Sequence, residues 1–130
     1  MKFRSFWPAI CWTLLILGLS FMPGKSFPSA DWMDWFKLDK WVHAFLYAVL
    51  FTLLFIPIQE RKMIGHARLV LLSVSFCLFL GLFTEIVQGV FLVDRSGDLP
   101  DMIANTLGVF LSVLFFRFKD KKWPWKVTNE

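Results

Sequence analysis

A chain of 130 residues that is 57% hydrophobic and 18% aromatic, with a mean hydropathy of +0.59, has room for one domain and is too apolar for an ordinary soluble fold of its size. Its net charge of +4 comes from Lys and Arg at the edges of apolar runs, not from a basic stripe, which excludes a nucleic-acid partner and points to membrane topology. Cys11 and Cys77 lie inside apolar runs, no Cys/His spacing fits a zinc site, and no phosphate loop or G-x-S-x-G element occurs, so no disulfide, metal or cofactor is expected.

Residues 5–22 are uncharged and follow Lys2 and Arg4. They read as a first span and not as a signal peptide, because the apolar run is longer than a signal core and the one cleavage-like tripeptide, Pro28-Ser29-Ala30, lies well beyond it. Residues 23–38 carry prolines, a glycine and charges, so the chain leaves the bilayer there. Trp32, Trp35 and Phe36 in that segment fit an aromatic belt at headgroup level, with a ligand groove as the alternative.

Residues 41–58 form a second span, ended by Pro57 and the charged residues after it. Asp39, His43 and Tyr47 mark its start at steps of four, each rotated by roughly 40° from the last, so they predict one polar stripe. A third span covers 69–93 and is interrupted only by Glu85 and Gln88, which share a face. The turn Asp94-Arg95-Ser96-Gly97-Asp98 leads into Leu99-Pro100-Asp101, a helix start with proline in the first turn. A fourth span, 99–118, places Asp101, Asn105 and Gly108 on one face, where the glycine permits close helix approach. The expected fold is an all-α, polytopic bundle of four transmembrane helices filling a single domain, 1–130.

Ten of the fourteen Lys and Arg residues lie before the first span, in the 59–68 loop or in the tail. The opposite side holds Lys25, Lys37, Lys40 and Arg95 against Asp31, Asp34, Asp39, Asp94, Asp98 and Asp101. The positive-inside rule then predicts that both termini are cytoplasmic and that the 94–98 turn faces outward. His66, beside Arg61, Lys62 and Arg68, reads as solvated cytoplasmic surface in this scheme.

This topology brings the polar stripes of three spans to the outer half of the bilayer. At 1.5 Å per residue His43 lies roughly 6 Å deep, Gln88 about 7 Å, Asn105 about 9 Å, and Glu85 and Tyr47 about 12 Å. A carboxylate in an apolar run is costly unless paired, protonated or facing a cavity, which makes Glu85 the first functional candidate. If the stripes meet, they enclose an outward-facing polar pocket in which a carboxylate and His43 can share a proton and Arg95 can grip an anion. Structural alternatives stand beside each role. Glu85 and Asn105 can serve as interhelical hydrogen-bonding groups, Arg95 and Asp98 as a turn ion pair worth about 0–1 kcal/mol, and Asp101 as a helix-start residue.

The pattern D-K-W-V-H-A-F-L-Y at 39–47, E-I-V-Q at 85–88 and R-S-G-D-L-P-D-M-I-A-N-T-L-G at 95–108 resembles the VanZ-like family of small bacterial membrane proteins related to the teicoplanin-resistance protein. The likeness runs from Asp39 to Gly108. It implies a multi-pass protein of the cytoplasmic (inner) membrane, and it groups Asp39, His43, Tyr47, Glu85, Gln88, Arg95, Asp98, Asp101, Asn105 and Gly108 into one site. It assigns no catalytic residue, and a link to glycopeptide antibiotic resistance is the founding member's property.

Two functions of different classes follow. In the first, the pocket binds a membrane lipid, a lipid-linked envelope precursor or a glycopeptide-like ligand without converting it. In the second, a membrane-embedded enzyme acts on a phospholipid or polyprenyl phosphate, with Glu85 or an Asp as base, His43 as its acid/base partner and Arg95 on the phosphate. Transport is a third class, but four spans without an internal repeat would need a homo-oligomer to make a path.

Overall fold

A computed structural model describes residues 6–22, 38–62, 64–93 and 99–120. The described residues form four α-helices: α1 (Trp7–Phe21), α2 (Leu38–Arg61), α3 (His66–Phe91) and α4 (Leu99–Asp120). No strand occurs among them. The 24, 26 and 22 residues of α2, α3 and α4 correspond to about 36, 39 and 33 Å, enough for a hydrocarbon layer of about 30 Å. All three are apolar enough to cross a membrane, whereas α1 is a shorter apolar helix of 15 residues.

Local chemistry explains where the helices begin and end. Proline lies in the first turn of α1 and again in α4, where its missing N–H would have had no helical partner. Asp101 in the first turn of α4, and Arg117 and Lys119 in the last, match the helix dipole at both ends. The structure departs from the sequence expectation at Pro57, because α2 continues through it to Arg61. With one turn remaining, the ring removes a single backbone bond and the helix does not break. His66 also departs from a purely solvated role, since it opens α3 and its ring stands edge-on to Phe55 with centroids 5.5 Å apart.

The packing is inside out relative to a soluble bundle. On α3, Leu72, Phe76, Phe79, Phe83, Ile86 and Val90 are exposed along one stripe at helical spacing, while Ser73, Thr84, Glu85 and Gln88 are buried. An apolar stripe of that length facing outward is a surface for lipid.

Helices α2 and α4 are the most closely packed pair. Gly108 makes this possible, because a methyl group there would overlap the Ala44 carbonyl. Ser112 adds a hydrogen bond to the Ala48 carbonyl at 3.0 Å. Helix α1 is attached by two bonds of the same kind, Trp12 Nε1 to the Leu46 carbonyl at 2.9 Å and Gln88 Nε2 to the Ser20 carbonyl at 2.8 Å. Toward the end where α2 finishes, the core is aromatic, with Phe51 stacked on Phe55 at 5.3 Å and Phe55 against Phe116 at 4.8 Å.

Candidate functional site

The polar residues gather at the other end, where α2 and α4 begin and α3 finishes. Helix α2 supplies Lys40, His43 and Tyr47, α3 supplies Thr84, Glu85 and Gln88, and α4 supplies Asp101 and Asn105. Lys40 Nζ pairs with Asp101 Oδ1 across the helix interface and with Asp39 Oδ2 at 3.1 Å on its own helix. His43 Nδ1 lies 3.1 Å from Asn105 Oδ1. An amide oxygen only accepts, so His43 Nδ1 is the donor of this bond. The other ring nitrogen, Nε2, faces Asp101 Oδ2 at 4.0 Å.

Depth changes the character of the interactions. Near the end of the bundle the side chains of Lys40 and Asp101 are partly exposed, at 24% and 16%, whereas Glu85 at 5% and Asn105 at 3% are buried. One turn deeper, Tyr47 and Thr84 hydroxyls meet at 3.4 Å, and Thr84 donates to the Gly81 carbonyl at 2.9 Å, so the tyrosine is the donor of the pair. Glu85 Oε, Asp101 Oδ and a ring nitrogen of His43 lie within 4.8 Å of one another. An acid/base group, two carboxylates and an ammonium thus converge from three helices.

The structure sorts the residues singled out from the sequence. His43, Tyr47, Glu85, Asp101 and Asn105 come together. Gln88 is buried beside them but spends its amide on α1. Asp39 stays at the rim, its side chain 63% exposed and paired with Lys40. Eight residues rotate a helix by about 80° beyond whole turns, so Asp39 has drifted off the Tyr47 face, whereas Lys40, seven residues away, lies within about 20° of it. Lys40 is therefore the residue that sequence reasoning missed, and the helical period was the signal available for it. Arg95 and Asp98 lie outside the described residues. A surface groove of about 250 Å³ lined by Ala9, Ile10, Leu54 and Phe76 among others is apolar and shares no residue with the polar cluster.

Long helices with apolar exteriors and ionisable interiors define the class: a multi-pass, all-helical membrane protein. Within that class the chain belongs to the VanZ/LLP1 family, whose model matches residues 5–120. Comparison with curated proteins and with solved structures found no match.

Proposed function

We propose that this VanZ/LLP1 protein crosses the cytoplasmic membrane four times with both termini inside, and that the polar end of its bundle opens outward and binds the headgroup of a lipid-linked envelope precursor or a glycopeptide-like ligand. The observation that carries the reading is the convergence of Lys40, His43, Glu85 and Asp101 from three helices at one end. Glu85 is buried among them, and a buried ionisable group between membrane helices carries a desolvation cost that apolar packing avoids. Lys40 and His43 supply donors for phosphate or carboxylate oxygens, and Asp101 and Glu85 supply acceptors for sugar hydroxyls or amides. The apolar exterior keeps the acyl or polyprenyl chain of such a ligand in the surrounding lipid.

Binding of fluorescent polyprenyl phosphate and of a lipid-linked disaccharide to protein in nanodiscs tests this. Lys40→Ala and His43→Asn should each weaken binding about tenfold or more while inserting at the wild-type level. Equal binding by wild type and both variants rejects the site. Orientation is checked separately in a cysteine-free background. Labelling from outside should reach Gly97→Cys and miss Ile64→Cys, and the reverse pattern rejects the topology.

One observation favours an enzymatic second reading. The His43 ring is fixed through Nδ1, with Nε2 presented toward a carboxylate, which is how a general acid/base is held. Turnover of labelled phospholipid or polyprenyl phosphate by purified protein, lost in Glu85→Gln, decides for it. Binding without conversion decides against it.

A further inference from the structure

We infer that His43, Glu85 and Asp101 form a binding site for a divalent transition-metal ion. The ligand set is one imidazole nitrogen and two carboxylates, contributed by three helices, with one atom from each within 4.8 Å of the others. A metal bonded at about 2.0–2.2 Å holds neighbouring ligand atoms about 3 Å apart, so closure needs little more than 1.5 Å of side-chain movement. Mixed imidazole and carboxylate donors select Zn²⁺, Mn²⁺ or Fe²⁺ over Ca²⁺ and Cu⁺. Three protein ligands also leave coordination positions open.

The surroundings support the same assignment independently of the ligand spacing. Asn105 Oδ1 accepts a hydrogen bond from His43 Nδ1 and leaves Nε2 facing Asp101, the arrangement that orients a metal-binding histidine. Lys40 holds one oxygen of Asp101 and leaves Oδ2 toward His43. The second signal is Asn105 Nδ2, a buried donor with no hydrogen-bond partner among the described residues, on a side chain only 3% exposed. It lies against Gly81, where an added Cβ would stand 3.3 Å from it. Gly81 is one turn from Glu85 on the same face of α3, so this donor faces the helix turn that forms the floor beneath Glu85. A metal-bound water or anionic oxygen reaching that floor satisfies it.

The metal site stands on the geometry alone. Its use, with a headgroup phosphate oxygen in an open coordination position, rests on the proposed function. The test starts with full-length protein stripped by chelator and titrated with Zn²⁺ and Mn²⁺ in detergent. Elemental analysis should find about one ion per chain, with affinity falling about 100-fold or more in His43→Asn and Asp101→Asn. His66→Gln controls for an adventitious histidine and should bind as wild type. Loading with Co²⁺ gives a second readout, since visible bands of imidazole–carboxylate coordination should appear in wild type and shift in Asn105→Ala even where the ligands are intact. Wild type with no stoichiometric metal, or with metal and bands unchanged in His43→Asn and Asp101→Asn, overturns the site. The two proposals then separate. Headgroup binding that persists in chelator sinks the metal and spares the binding function, whereas metal binding without headgroup binding does the opposite.

Discussion

The two ends of the bundle are made from the same three helices and solve opposite problems. Where α2 finishes, Phe51, Phe55 and Phe116 pack ring on ring, with Phe51 and Phe55 fully buried and the His66 ring edge-on to Phe55. Where α2 begins, the contacts between helices are made by Lys40, His43, Glu85, Asp101 and Asn105. In lipid, helix association gains nothing from removing apolar surface from water, so shape and dispersion do the work at the aromatic end. The polar end carries desolvation costs that packing alone would avoid. On the proposed function, stability is expected mainly from one end and selectivity from the other.

That division can be broken by experiment. The largest effect on stability is expected at the aromatic end, where Phe55→Ala leaves a cavity among rings and should cost about 3–5 kcal/mol in thermal unfolding while ligand binding at the far end is retained. Gly108→Ala comes next. The added methyl overlaps the Ala44 carbonyl and pushes α4 off α2, costing about 1–3 kcal/mol, and because His43 and Asn105 lie on those same helices it should also weaken binding. The most informative variant is the double change His43→Leu with Asn105→Leu. Replacing both partners of one hydrogen bond by apolar side chains should leave the unfolding temperature within about 1 kcal/mol of wild type, or raise it, while abolishing ligand and metal binding. A large loss of stability there would mean the polar end is structural after all. Tyr47→Phe removes a long hydroxyl contact to Thr84 and should cost about 0.5 kcal/mol. Asp39→Asn should change stability by about 0–0.5 kcal/mol, since its exposed carboxylate is screened.

Much of this arrangement was legible in the sequence, for reasons that follow from the membrane. The helices were visible because long apolar runs in lipid can satisfy their backbone only by coiling, and a polar residue inside such a run must face protein. That is why Glu85, His43 and Asn105 could be picked out one at a time. The family resemblance added that they belong together. Less visible was the rotation that replaces Asp39 by Lys40, because a stripe read at steps of four drifts off its face within two steps. The metal-type ligand set gave no local signal at all. Its three members come singly from three helices, and the spacing rules that reveal zinc sites need pairs of ligands a few residues apart. His66 was misread as plain surface because nothing in the loop sequence announces the Phe55 ring that it meets.

Three of the hydrogen bonds that join the helices share a form: Trp12 to the Leu46 carbonyl, Gln88 to the Ser20 carbonyl and Ser112 to the Ala48 carbonyl. In each the donor is a side chain and the acceptor is main chain, which every residue type provides. Substitution is therefore one-sided. A deep mutational scan should find positions 12, 88 and 112 restrictive for their donor groups, while the acceptor contributed by 20, 46 and 48 survives exchange among helix-forming residues of suitable size. Donor and acceptor positions have no reason to change together, so correlated substitution between family members would pass over these contacts even though they fix how α1 and α4 sit on α2 and α3.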